Sequence, residues 1–200
     1  MMYPIVEIFR SIQGEGFNAG TPAVFVRLAG CNLNCSFCDT DNNAVFLADS
    51  FQLKQMIDEI REKAPLVIVT GGEPTLHDLA PLSSSLRSLP VRVAIETNGT
   101  RVLRPDEKFD WVTVSPKTPP GIEGIRQSAG SEIKVPVFPE VKNSEIISMV
   151  GFGMFQHRYL QPVETRDRIE RQENVARAIT LATAHGCRIS AQMHKWFKVR

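Results

Sequence analysis

Cys31, Cys35 and Cys38 fall within one short segment, Cys31-Asn32-Leu33-Asn34-Cys35-Ser36-Phe37-Cys38. Three thiolates at that spacing can hold three irons of a 4Fe–4S cube, and no fourth cysteine lies nearby to take the last iron. Clusters that only carry electrons usually have every iron ligated by protein, so an open iron points to a cluster that binds and reacts with something. Zinc and redox-pair readings of the triplet stand beside this one. Zinc takes four ligands, and only the distant Cys187 or a histidine would complete the set. Cys187 itself precedes an apolar run and reads as a small buried side chain.

Other segments carry chemistry of a different kind. Thr70-Gly71-Gly72-Glu73-Pro74 follows an apolar run. Paired glycines let backbone carbonyls approach a ligand closely, and Glu73 adds negative charge, a combination suited to an ammonium group. Gln13-Gly14-Glu15-Gly16 offers amide and carboxylate groups, or else a simple glycine turn. Arg27 stands just before Gly30-Cys31, where a guanidinium can grip a carboxylate in a fork that lysine does not copy. His77, His157 and His185 read as structural or exposed, and Trp111 and Trp196 as core or interface residues.

These residues need a scaffold, and the hydrophobic pattern supplies one. Short runs rich in Val and Ile at 23–28, 66–70, 91–96, 111–115, 132–137, 157–161 and 188–192 read as strands buried on both faces. Leu53, Met56, Ile57 and Ile60 form a helical stripe, with Asp49 and Gln52 placed as a capping box. Val175, Ile179 and Ala182 mark a second helix that leaves at Gly186. Residues 76–89 and 143–150 read as a third and a shorter fourth. Alternating strands and helices imply a parallel sheet, whose ligands sit at the carboxyl ends of the strands. The motifs fall at those ends: the Gly71-Gly72 loop, Glu96-Thr97-Asn98-Gly99, Ser115-Pro116-Lys117 and Gln161-Pro162-Val163-Glu164. The cysteine loop opens at the same mouth.

Composition sets limits. The 200 residues fit one domain, 1–200, and 42% apolar content supports a full core. With 23 basic and 22 acidic residues the chain has no excess charge for a nucleic-acid stripe or a polybasic membrane patch. No window approaches a membrane span, and Met1-Met2-Tyr3-Pro4 opens nothing like a signal peptide. The expectation is a cytoplasmic protein without nucleic-acid or membrane partners. In that compartment clustered cysteines bind metal or do redox work.

The triplet, with Phe37 in the aromatic position before Cys38, resembles the radical S-adenosylmethionine (SAM) superfamily, in which the open iron chelates SAM. Ile12-Gln13-Gly14-Glu15-Gly16, Arg27, Cys38-Asp39-Thr40, Ser115-Pro116-Lys117 and Gln192-Met193-His194-Lys195 together resemble the 7-carboxy-7-deazaguanine synthase family, over nearly the whole chain. The resemblance implies an α/β fold, a partial (β/α) barrel with trimmed helices. The brief stretch 120–132, too short for a full helix, agrees with such trimming. It implies a ring-contracting lyase that converts 6-carboxy-5,6,7,8-tetrahydropterin to 7-carboxy-7-deazaguanine and ammonia on the way to queuosine and related deazapurines. Cys31, Cys35 and Cys38 would hold the 4Fe–4S cluster. Phe37, Cys38 and Asp39 would lie by the adenine of SAM, Gly72 and Glu73 by its methionyl end, and Ser115, Pro116 and Lys117 by its ribose or carboxylate. Gln161, Pro162, Val163 and Glu164 would add a further contact to SAM. The pterin would meet Ile12, Gln13, Gly14, Glu15, Arg27, Thr70, His194 and Arg200, and Thr40 would ligate Mg2+ shared with the substrate carboxylate. A homodimer and an external reductant such as flavodoxin also follow from the resemblance. Two alternatives stand beside it: an activating enzyme that makes glycyl radicals, and a non-enzymatic zinc- or cluster-binding module.

Overall fold

The computed structural model describes residues 1–38 and 40–199. Its centre is a sheet of nine strands in the order β3-β1-β2-β4-β5-β6-β7-β8-β9. β1 (Met2–Ile12) runs antiparallel to both β2 (Pro22–Leu28) and β3 (Phe46–Asp49). From β2 onward every pairing is parallel, through β4 (Leu66–Gly71), β5 (Arg92–Thr97), β6 (Trp111–Val114), β7 (Ala129–Val137), β8 (Met154–Pro162) and β9 (Arg188–Ile189). β3 and β9 are the edges, so the sheet stays open, as a partial barrel does.

The helices cross over between parallel strands, as that topology requires. α1 (Ser50–Arg61) precedes β4, α2 (Ala80–Leu86) joins β4 to β5, α3 (Asn143–Gly151) joins β7 to β8, and α4 (Arg168–His185) joins β8 to β9. A last short helix, α5 (Met193–Phe197), follows β9. Among the described residues no α-helix separates β5 from β6, and only a 3-10 turn at Gly121–Gly124 separates β6 from β7. The helices are trimmed where the sequence is short.

Alternation along each strand divides the core. Val24, Val26, Val67, Val69, Val93 and Ile95 face outward under Leu53 and Ile57 of α1 and Leu82 and Leu86 of α2. Their neighbours Phe25, Ile68 and Ala94 pack together on the opposite face. A second core forms where Ile133, Val135 and Val137 of β7 meet Ile146 and Met149 of α3 and Ala178 and Leu181 of α4.

Several sequence expectations need revision. β1 and β3 emerge as strands that the hydrophobic pattern did not mark, and the last strand is two residues long rather than 188–192. The expected helix over 76–89 divides into a 3-10 turn, Pro74–Leu76, and α2, because Glu73 caps the first and Asp78 holds the amide of Ala80. α4 is rotated from the expected face: Asn174 and Ala178 are buried while Val175 and Ile179 are exposed. Asn174 donates to the Val163 carbonyl at 3.0 Å, and this bond turns that side of the helix inward. Trp196 is exposed, which rules out the core reading and leaves the interface one.

The capping box on α1 is formed as read: Asp49 accepts from the amides of Phe51 and Gln52, and Gln52 returns a bond to the Asp49 amide. Asp49→Ala is expected to lower stability by about 1 kcal/mol, read as a shifted urea midpoint at unchanged slope.

Candidate active site

A cavity of about 300 Å³ opens at the carboxyl ends of the parallel strands. Several strands deliver residues toward their carboxyl ends to it. Arg27 comes from β2, Thr70 and Gly71 from β4, Glu96 and Thr97 from β5, and Lys134 and Pro136 from β7. Gln161 comes from β8, while Gln192, His194 and Lys195 arrive after β9. Phe9, Ile12 and Gln13 of β1 and its exit close one side, where the rings of Phe9 and Phe25 stack at 5.0 Å.

The cysteine loop lies across this mouth, and Cys31, Cys35 and Cys38 all line the cavity. All three are free thiols. The loop is tied at several points. Cys38 donates its amide to the Cys35 carbonyl at 3.1 Å, and the Leu33 amide reaches the Cys31 sulfur at 3.4 Å. Asn32 accepts from Asn98 at 3.0 Å and donates to the Thr100 hydroxyl at 2.8 Å. Phe37 sits against Phe138 with ring centres 4.6 Å apart, which docks the loop on the second core. Among the described residues no three His, Cys, Asp or Glu side chains converge on a single ion, as a zinc site requires.

The Gly71-Gly72 shelf packs against the start of the cysteine loop. The Gly72 amide donates to the Leu28 carbonyl at 3.0 Å, and the Glu73 amide to the Gly30 carbonyl at 2.8 Å. A side chain at Gly72 would place its Cβ 2.0 Å from the Gly30 oxygen, so only glycine fits. Beside it the buried Asn42 Oδ1 has no hydrogen-bond partner. An orphaned acceptor next to a glycine shelf suits a donor such as an ammonium group.

Glu73 is placed differently from the expectation. Its side chain is fully buried and does not line the cavity. One carboxylate oxygen accepts from the Thr75 amide and from the hydroxyls of Thr75 and Thr97 at 3.0, 2.7 and 2.6 Å. The other accepts from the Asn98 amide at 2.6 Å. Glu73 is therefore a positioning residue for the shelf and the end of β5. Pro116 and Pro162 also lie off the cavity wall, while their neighbours Ser115, Lys117, Gln161, Val163 and Glu164 line it. Asp39 and Arg200 lie outside the described residues.

The remaining expected residues converge. Ile12, Gln13, Gly14, Glu15, Arg27, Phe37, Thr40, Thr70, Gly72 and His194 all line the one cavity. Arg27 donates through Nε to Glu7 at 2.9 Å and through a terminal nitrogen to the Thr40 hydroxyl at 3.2 Å, which fixes the plane of its guanidinium. Gly14 is held against α5: an added Cβ would lie 2.0 Å from the His194 ring. Gln13 donates to Glu96 at 2.8 Å, and Gln192 donates to Glu15 at 2.7 Å. Glu15 also pairs with Lys134.

Burial raises the Glu15 carboxyl, but the charge and hydrogen bond of Lys134 outweigh it and hold the group at about 2. This pairing contributes stability that is full above the ordinary carboxyl value of 4.5 and lost as pH falls toward 2. Burial, reinforced by the charge of Lys134, pushes the Lys117 ammonium down. Lys134 and Glu96 were not assigned roles from the sequence. The available signal was a lone lysine inside the apolar run Ile133-Lys134-Val135, a charge that has to face an interior polar partner.

The open parallel sheet with a three-cysteine loop over its carboxyl end defines a radical SAM protein, and residues 25–126 match the Radical SAM superfamily. The 7-carboxy-7-deazaguanine synthase of Bacteroides thetaiotaomicron is 40% identical to this chain with both covered completely. The enzyme of that name from Escherichia coli K12 is 33% identical, again over the whole of both. The crystal structure of QueE from Escherichia coli superimposes with a TM-score of 0.73 at 29% identity, over 97% of this chain and 95% of that one. The chain belongs to the 7-carboxy-7-deazaguanine synthase family.

Replacing Glu73 by alanine would leave several buried donors from two loops without an acceptor. At roughly 1–3 kcal/mol per orphaned buried group, Glu73→Ala is expected to destabilise the protein by about 3 kcal/mol or more, measured by urea unfolding. A variant as stable as the parent would remove Glu73 from the scaffold.

Proposed function

We propose that this chain converts 6-carboxy-5,6,7,8-tetrahydropterin to 7-carboxy-7-deazaguanine and ammonia as a radical SAM lyase of queuosine biosynthesis. The observation that carries the proposal is the convergence of the cysteine loop, the Gly71-Gly72 shelf and a polar pocket on one cavity, in a chain matched over its full length by synthases of that name. The alternatives fare less well. A glycyl-radical activator acts on a protein chain and has no use for a small pocket lined by Gln13, Glu15 and Arg27, and a zinc module does not account for the full-length match to synthases of that name.

Cys31, Cys35 and Cys38 are free and line the cavity, and they would hold a 4Fe–4S cluster with one iron left open for SAM. When bound, the cluster and SAM supply a 5′-deoxyadenosyl radical through one-electron cleavage of the sulfonium. The protein's part is to hold and orient. The Gly72 backbone and Asn42 Oδ1 would take the methionyl ammonium of SAM. Phe37 would lie by its adenine, with Asp39 assigned there from the family pattern, and Ser115 and Lys117, with Gln161, Val163 and Glu164, would border the rest. Glu73, Pro116 and Pro162 act from behind this wall.

On the substrate side, Arg27 is oriented by Glu7 and Thr40 to take the pterin carboxylate. Ile12, Gln13, Gly14, Glu15, Thr70 and His194 enclose the ring, with Arg200 at the chain end. The Thr40 hydroxyl, which here accepts from Arg27, would be the protein's ligand to Mg2+, with substrate and water supplying the other oxygens that magnesium prefers. We further propose one domain over 1–200, a cytoplasmic homodimer and a flavodoxin-like reductant; no described helix is long and apolar enough to cross a membrane.

The test is anaerobic turnover of the reconstituted protein with dithionite, SAM, Mg2+ and 6-carboxytetrahydropterin, read by mass spectrometry. The deazaguanine product is expected. Formation of 5′-deoxyadenosine alone would leave the radical machinery standing and reject the substrate. Cys35→Ala is expected to abolish SAM cleavage. Arg27→Lys, which keeps charge but loses the fork, is expected to raise KM by about tenfold or more, since charge-assisted bonds contribute roughly 1.5–3 kcal/mol; an unchanged KM would remove Arg27 from the substrate carboxylate.

A further inference from the structure

The cavity holds more buried charge than clamping a carboxylate requires. Lys134, on β7, is 3% exposed. Its ammonium pairs with Glu15, and it lies 3.9 Å from Glu96. The register explains the meeting. Glu96 of β5 stands beside Thr113 of β6, which stands beside Glu132 of β7. Lys134, two positions on, therefore points to the same face as Glu132. Glu15 arrives from the connection after β1 and is steadied by Gln192, which Lys195 holds in turn at 3.0 Å. Both carboxylates line the cavity.

We infer that Lys134 is a positioning residue that keeps Glu15 and Glu96 ionised together, so that both serve as pure hydrogen-bond acceptors for the donor-rich edge of the bound heterocycle. This rests on the proposed substrate. The tetrahydropterin ring presents an amino group and several ring N–H groups, and an ionised carboxylate accepts at every lone pair, whereas a protonated one is partly a donor. Two carboxylates sharing one site repel each other, which favours protonating one of them, and a cation set between them offsets that repulsion. The ammonium of Lys134 is that cation, and the low setting of Glu15 agrees with it. The other charged groups around the pair are Lys117 after β6, Glu132 on β7, and His194 and Lys195 on α5. Glu132 is occupied elsewhere: it accepts from the Phe17 amide and the Thr113 hydroxyl, both at 2.9 Å.

The experiment compares Lys134→Met and Lys134→Arg with the parent holoenzyme between pH 6 and pH 8. Without the ammonium, one carboxylate takes up a proton near neutrality and becomes a donor. The ratio of variant to parent KM for 6-carboxytetrahydropterin is expected to rise as pH falls, approaching about tenfold per pH unit below the new midpoint. Lys134→Arg keeps the charge and is expected to give a flat ratio. A ratio for Lys134→Met that does not change with pH would overturn the inference.

A second measurement needs no substrate. In Lys134→Met the shared carboxyl has a folded-state pKa above its unfolded value, so its stabilising protonation is lost as pH rises through the folded value. The deficit in Tm relative to the parent is therefore expected to widen from pH 6 to pH 8, and a constant deficit would also overturn the inference. If the parent fails to turn over the pterin, the proposed function fails, and the melting comparison still decides the role of Lys134.

Discussion

A carboxylate with no exposure to water sits at the junction of the strands that build this site. Burying the charge of Glu73 costs several kcal/mol unless donors replace its hydration. The replacements come from two places, Thr75 just after β4 and Thr97 with Asn98 at the end of β5. Satisfying one group therefore locks two loops in a single arrangement. The Gly71-Gly72 shelf stands immediately before Glu73, and Asn98 extends the connection through Asn32 into the cysteine loop. Shelf, cysteine loop and β5 behave as one body because they share that network. Catalysis depends on fixed relative positions of the reacting groups, and this network fixes the cysteine loop against the end of β5.

On the substrate side the arrangement rests on opposed charges. Lys134, Glu15 and Glu96 come from three distant segments and meet at the cavity, one cation between two carboxylates. Gln13 and Gln192 each donate one hydrogen bond to a carboxylate and link Glu96 to the exit from β1 and Glu15 to the segment before α5. The end of the chain is thereby held over the pocket, with the Met193 amide bonded to the Gly14 carbonyl at 2.9 Å.

The opposite end of the open sheet is closed by aromatic packing. Phe17, from the connection between β1 and β2, stacks on His157 at 4.4 Å and on Trp111 at 5.0 Å. Its amide bonds to Glu132, and a side chain at the neighbouring Gly16 would strike that carboxylate. Trimming the helices leaves fewer elements to cover the sheet, and this loop covers its amino-terminal end.

Much of the site is legible in the sequence because its parts are local. Three cysteines in one loop, two glycines after a strand and a capping box at Asp49 and Gln52 are each set by neighbours along the chain. Strand ends could be placed because runs buried on both faces are conspicuous. β1 was not legible: Glu7 and Arg10 interrupt its pattern and most of its side chains are half-buried. β3 has four residues, too few for a period to show. The direction of Glu73 could not be read, since a glutamate after two glycines looks the same whether it turns to a ligand or to the scaffold. The burial of Asn174 depends on a carbonyl eleven residues away. The pairing of Glu15 with Lys134 depends on which strands lie side by side, an outcome of packing the whole sheet. The sequence by itself determined the chemistry of the cofactor loop, because neighbours along the chain specify it. Only the tertiary structure decided which charges share the pocket, because buried ions choose partners by proximity in space, and strand order creates that proximity.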